Sequence, residues 1–263
     1  MRNLGVASVK RIATALLAVV GLGCGGGANG DPAPGAQTPS IQADAPPCFP
    51  DDGPVAFRAG AVPVPEKTVQ RLVAHLRAAA PGLSAYDAKA QVVLQTVLPA
   101  AAMYAAGARR GDGDAPALIE KLARRAADAR AALDAGEDFG KLAVERSDCR
   151  RSKARGGEIG ALGRLEYDLL LAEAAFSGKP GQVVGPVWTR FGCHLLKIVE
   201  AVDGASAQMD RRRVSHLLFA YDEARQHEDQ AGWAQQVSDR MKEAKVVIEN
   251  ESYKKIIPLD YRK

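Results

Sequence analysis

The run from Ser147 to Lys197 constrains the fold most. It opens on Ser147-Asp148-Cys149 and a basic, glycine-bearing loop, Lys153-Ala154-Arg155-Gly156-Gly157, which leads into a short strand at Glu158-Ile159-Gly160. An apolar helix ending in Ala174-Ala175-Phe176 follows, then a Pro180-Gly181 turn. The run closes with Gly185-Pro186-Val187 and the strand-like segment Phe191-Gly192-Cys193-His194-Leu195-Leu196-Lys197. Glycine reaches backbone conformations that other residues adopt only with strain, and Pro-Gly pairs mark turns. Loop, strand, helix, turn and strand in that order predict an α+β fold.

At 263 residues the chain has room for one large domain or two small ones. Its composition is 47% hydrophobic but only 5% aromatic, so Ala, Leu and Val must do most of the packing. A net charge of +4 with interspersed signs is too mild to argue for nucleic acid as a partner. Cys24, Cys48, Cys149 and Cys193 stand far apart without any C-x-x-C spacing, which argues against a metal site.

The N-terminus reads as an address. Arg2, Lys10 and Arg11 precede an apolar run from Ile12 to Gly23 that is too short for a comfortable membrane span. Gly21-Leu22-Gly23-Cys24 resembles a bacterial lipoprotein cleavage site, with Cys24 as the lipid-bearing first residue of the mature chain; it departs from that pattern at Gly21, where Leu is usual. Ordinary secretory cleavage is the other reading. Both place the mature protein outside the cytoplasm, in the bacterial cell envelope. Residues 25 to 54 are rich in Gly, Ala, Pro and Asp with little to bury, and read as a flexible tether. If Cys24 carries lipid, three cysteines remain, so at least one thiol stays free or pairs between chains.

From Val55 to Gly60 a short strand and turn are expected, then a helix opened by Val64-Pro65-Glu66 and closed near Pro81-Gly82. A second helix follows Ser84 and carries Val93, Leu94, Val97, Leu98, Ala101 and Ala105 on one broad face, kinked at Pro99 and ended by Gly107 to Gly113. Ala115 to Gly136 is an amphipathic helix with Gly136 as its natural C-terminal cap. Phe139, Leu142 and Ala143 begin a shorter one.

Several short motifs run in order through Ala131 to Glu200: Gly-x-x-Phe at 136–139, Ser-Asp at 147–148, Gly-Gly-x-x-Gly at 156–160 and Gly-Arg at 163–164. They continue with Ala-Ala-Phe at 174–176, Pro-Gly at 180–181, Gly-Pro-Val at 185–187 and Phe-Gly-x-His at 191–194. Together they resemble the parvulin (PpiC, rotamase) class of peptidyl-prolyl cis/trans isomerases. The preceding strand, turn and two helices resemble in layout the N-terminal module of SurA-like and PrsA-like extracytoplasmic folding factors. The resemblance implies a four-stranded antiparallel sheet surrounded by helices. It also implies an apolar cup for the proline ring at Ile159, Tyr167 and Leu171, and a polar network at Cys149, Thr189 and His194. Many bacterial members have Asp at the position of Cys149, and the family usually has Met and Phe where this chain has Tyr167 and Leu171, so the pocket shape differs.

One element is missing. The family's domain begins with a strand carrying a second site histidine in a pattern like Ser-His-Ile-Leu, and nothing before Ala115 fits it. After the domain, Arg211-Arg212-Arg213-Val214-Ser215-His216-Leu217-Leu218-Phe219-Ala220 does. The expectation is a circularly permuted domain whose first strand arrives from the C-terminal side. A hairpin symmetric about Ala205 would make His194 and His216 cross-strand neighbours unless a bulge alters the register. The alternative is one long helix from Arg211 to Ala244. In either case 227–244 is helical, Val246-Val247-Ile248 is a short strand on the N-terminal module, and Ile256-Ile257-Pro258 is a tail. His75 and His227 have no evident partners. Lys153 and Arg155 read equally as site residues or a solvated face, and Arg211 to Arg213 as a charge cluster rather than a phosphate site.

The expected organisation is a signal segment (1–24), a tether (25–54), a helical module (55–112), the parvulin-like domain (113–221) and a C-terminal helix and tail (222–263). The expected activity is peptidyl-prolyl isomerisation of exported, proline-containing polypeptides, without a cofactor. A non-catalytic holdase or peptide-binding module is the alternative.

Overall fold

The computed structural model describes residues 46–109, 117–222 and 229–263. The signal segment, Cys24, the tether up to residue 45 and His227 lie outside the described residues. Those described belong to one compact unit.

A small sheet is built from both ends of this unit. Strands β1 (Val55–Ala59) and β2 (Val62–Pro65) form an antiparallel hairpin, and the C-terminal β7 (Val247–Ile248) pairs with the other edge of β1. Helix α1 (Glu66–Ala79) begins directly after Pro65 and buries Val69, Leu72 and Leu76 at helical spacing. Helix α2 (Ala85–Val92) is capped by the Ser84 hydroxyl, which accepts from the Asp87 N–H. The kink expected at Pro99 is a wide π turn over Val93–Val97, just ahead of α3 (Leu98–Gly107). Proline has no N–H for the carbonyl four residues back, and the wide turn absorbs that loss. Every residue from Leu98 to Tyr104 is buried, so α3 is covered all round rather than on one face.

Helix α4 (Leu118–Asp134) ends as its sequence dictates. Gly136 takes a positive φ of 94°, and the Glu137 N–H closes back on the Ala132 carbonyl. Helix α5 (Phe139–Arg146) is capped by Asp138. A four-stranded antiparallel sheet then forms from β3 (Glu158–Leu162), β4 (Val183–Thr189), β5 (Gly192–Val202) and β6 (Arg211–Ala220) in the order β3-β6-β5-β4, with α6 (Leu169–Ser177) between β3 and β4 in sequence. Residues 211–220 are therefore a strand, and helix α7 (Gln230–Glu243) starts only later. Strand alternation explains the choice. Leu217 and Phe219 enter the main core with Cys193 and Leu195, beneath α4, while Val214 and Leu218 pack on the opposite face.

The register differs from the symmetric expectation. His194 stands opposite Leu218 and Leu196 opposite His216, with a bulge between Ile198 and Glu200. The histidines are diagonal rather than direct partners. A slip of two residues keeps each side chain on its face, whereas a slip of one would have separated them. Arg212 and Arg213 pair with Asp203 and Glu200 at the far end of this hairpin.

Two segments are more ordered than their composition suggests. The tether was expected to reach residue 54, but Cys48 and Phe49 are buried in the main core. The Asp51 carboxylate accepts from Thr68 and Arg71 at 2.8 and 2.9 Å. The expected tail likewise contributes Tyr253, Ile256 and Ile257 to that core. A few apolar side chains suffice to seat an otherwise polar segment once a groove exists to receive them.

Candidate active site

The two histidines project from one face of the sheet because they occupy alternate positions of β5 and β6 in phase with Leu196 and Leu218. Their ring centroids are 5.6 Å apart with planes tilted by 30°. Both are buried, at 2% and 6% exposure. Each ring has a hydroxyl at Nε2: Thr189 Oγ1 lies 3.0 Å from His194, and Ser152 Oγ lies 2.9 Å from His216. Each Nδ1 is buried without a hydrogen-bond partner among the described residues. Burial holds His194 well below the ordinary histidine value, and the nearby His216 adds to the effect. Burial, with the Arg151 cation, brings His216 down to about 4. At neutral pH both rings are uncharged, so each has one donor and one acceptor nitrogen.

The loop from Ser147 to Gly157 acts as a substitute strand along the outer half of β6. Its Ser147 hydroxyl accepts from the N–H groups of Leu218 and Cys149, at 3.1 and 3.3 Å. The Asp148 N–H donates to the Leu218 carbonyl at 2.7 Å, and the Asp148 carboxylate accepts from the Ala220 N–H at 2.9 Å. Further along, the His216 N–H donates to the Gly157 carbonyl at 2.8 Å. Gly157 has φ +80°, and a Cβ there would stand 2.4 Å from the His216 carbonyl oxygen. Only glycine lets the loop approach this closely. The Ser-Asp and Gly-Gly motifs thus satisfy the backbone of the strand that carries His216.

Apolar walls flank the pair. On one side the Cys149 thiol clusters with Leu218 and Ala220, against which Phe191 packs; Phe191 in turn stacks on Trp233 of α7 at 6.2 Å. On the other side Leu171 is buried with Leu162, Leu196, Ile198 and Val214, and Ile159 packs on that cluster. Tyr167 is 54% exposed, has φ +62°, and donates its hydroxyl to the Ile159 carbonyl at 3.0 Å. The structure therefore brings His194, His216 and Thr189 together, places Cys149 beside Leu218, and puts Ile159 and Leu171 around the far wall with Tyr167 tied to Ile159.

Other contacts had no sequence signal. Ser152 sits between two cations in an apparent surface loop, yet it is 1% exposed. Arg125 of α4 grips Asp148 with two 2.7 Å hydrogen bonds from a position 23 residues earlier. His75 does have partners: its Nε2 lies 3.0 Å from the Arg164 carbonyl, and its ring meets Phe176 edge-on at 5.5 Å. Arg71 of α1 pairs with the buried Glu173 of α6. Lys153 and Arg155 are engaged within the loop, Lys153 through its N–H to the Cys149 carbonyl and Arg155 through its guanidinium to the Glu158 carbonyl.

Residues 114–200 match the family described as Rotamase: PPIC-type PPIASE domain. Strand β6 with His216 lies beyond that match. The chain is 30% identical over 140 residues to foldase protein PrsA of Geobacillus kaustophilus (strain HTA426), covering 53% of this chain and 48% of that protein. It is 30% identical over 107 residues to chaperone SurA of Alcanivorax borkumensis (strain ATCC 700651 / DSM 11573 / NCIMB 13689 / SK2), covering 41% of this chain and 24% of that protein. A PrsA of Clostridium botulinum (strain Langeland / NCTC 10281 / Type F) is 36% identical over 83 residues, 31% of this chain and 25% of its own. The chain thus spans about half the length, or less, of the curated relatives it matches.

Proposed function

We propose that this chain, whose residues 114–200 match the PPIC-type rotamase family, is a peptidyl-prolyl cis/trans isomerase assisting the folding of exported polypeptides. The observation that carries this reading is the neutral His194–His216 pair on a sheet face between two apolar walls. Rotation of a peptide bond faces a barrier of roughly 18–20 kcal/mol held up by amide resonance. Unaided prolyl isomerisation takes on the order of tens of seconds or more. A catalyst forms no bond here; it favours the twisted amide over both planar forms. Ile159, Tyr167 and Leu171 would grip the proline ring, and Cys149 would line the opposite side. His194, His216 and Thr189 would follow the rotating carbonyl with groups that both donate and accept. Uncharged rings in a dry setting favour neither planar ground state through a fixed charge.

This reading has the domain completed by β6, with the helical module at 55–112 and the C-terminal helix and tail at 222–263 as its support. The printed names foldase and chaperone support client polypeptides as partners. The N-terminal sequence supports a cell-envelope location with Cys24 as a lipid anchor. No cofactor takes part in the proposed step.

A protease-coupled proline-peptide assay on the wild type, Cys149→Ala and His216→Ala tests the activity. The wild type should accelerate isomerisation and His216→Ala should lose most of that acceleration. A wild-type rate equal to buffer would sink the reading and leave a peptide-binding role.

A further inference from the structure

We infer that Ser152 is a positioning residue for His216, fixing the orientation and tautomer of that ring by committing its Nε2 to a hydroxyl. The inference rests on reading this sheet face as a prolyl isomerase site. Ser152 is held on both sides by its own backbone. Its N–H donates to the Cys149 carbonyl at 3.2 Å, and its carbonyl accepts from the N–H groups of Arg155 and Gly157 at 2.9 Å each. The hydroxyl has little freedom and lies 2.9 Å from His216 Nε2.

The arrangement repeats what β4 does for the other ring. Thr189 Oγ1 meets His194 Nε2 at 3.0 Å and also accepts the Phe191 N–H at 3.0 Å, which fixes the hydroxyl in place. Both histidines therefore commit Nε2 to a hydroxyl and keep Nδ1 unpartnered among the described residues. Flipping the His216 ring would put Cε1 where Nε2 stands and forfeit the Ser152 bond in a place sealed from water. Thr189 was expected as a site residue; Ser152 supplies the equivalent contact from the basic loop. That loop accordingly does two jobs, pairing with the backbone of β6 and orienting its histidine.

The test uses the full chain, Ser152→Ala and Ser152→Thr. Ring 15N resonances of His216, assigned by comparison with His216→Gln, are read beside kcat and KM. In Ser152→Ala the His216 resonances should move toward a mixture of tautomers and kcat/KM should fall about tenfold, chiefly through kcat. Ser152→Thr should restore both. Unchanged His216 resonances in Ser152→Ala would overturn the inference, as would an activity loss that Ser152→Thr leaves in place. If the wild type proves inactive as an isomerase, that reading falls, and the ring resonances alone decide whether Ser152 positions His216.

Discussion

His194 and His216 lie diagonally across the β5–β6 ladder, each opposite a leucine of the other strand, with their rings 5.6 Å apart. The pair exists only because a strand encoded after the matched segment inserts between β3 and β5. Its burial has consequences for stability as well as for chemistry.

Acid should destabilise the protein well before its carboxylates are fully protonated. In the unfolded chain His216 charges near 6.5, whereas in the folded protein it stays neutral down to about 4. Between those values the unfolded state binds more protons, so stability present above pH 6.5 is lost as pH falls toward 4. Complete loss of this contribution amounts to roughly 3 kcal/mol. His194, held low by the same cause, acts in the same direction. Urea unfolding between pH 7 and pH 4 should have a steeper slope in the wild type than in His216→Gln. Equal slopes would count against a buried neutral ring.

Gly157→Ala should disturb the site without replacing a histidine. The new methyl would meet the His216 carbonyl oxygen, and φ +80° is unfavourable for alanine. A loss of roughly 2 kcal/mol or more is expected, with isomerase activity falling further than stability. Thermal unfolding and the peptide assay check this together. Wild-type behaviour in both would mean the loop can draw back from β6.

Asp148→Ala removes the acceptor of the Ala220 N–H and the carboxylate gripped by Arg125. The Ala220 N–H is part-buried, so the cost should be about 1–3 kcal/mol. Faster hydrogen exchange at Ala220 and Leu218, with α1 unaffected, would locate the damage at the outer end of β6. Exchange that rises evenly through the fold would argue against a local role.

Tyr167→Ala should separate binding from folding. At 54% exposure the ring contributes little to the core, so the thermal midpoint should stay close to wild type. If Tyr167 contacts the proline ring, KM for a proline peptide should rise several-fold, in line with the loss of part of one apolar contact. An unchanged KM would remove it from the cup.

Much of the local structure was legible. The helix after Ser84, Gly136 as a helix stop and the Ser-His-Leu-Leu strand pattern at 215–218 are short-range signals, and each is realised where the residues stand. The kink was legible at Pro99 but not its form, because a wide turn and a sharp bend both accommodate a missing N–H. Cys48 and Phe49 looked like part of a tether because two apolar residues carry no periodicity; they are core residues because the fold offers a place to bury them.

The amino-acid sequence by itself determined most of the helices and the order of the motifs from Gly136 to His194, since these depend on side-chain periodicity and turn residues within a few positions; it did not mark strand β2 and left 211–220 open between strand and helix. It also carried the second histidine, in a strand pattern C-terminal to the rest. Only the tertiary structure decided that β6 lies between β3 and β5, that its register is offset by two from the symmetric hairpin, and that Ser152 and Arg125 reach His216 and Asp148. Those relationships join residues tens of positions apart. They depend on which loop closes over which strand edge and where a bulge falls, quantities that local periodicity does not contain.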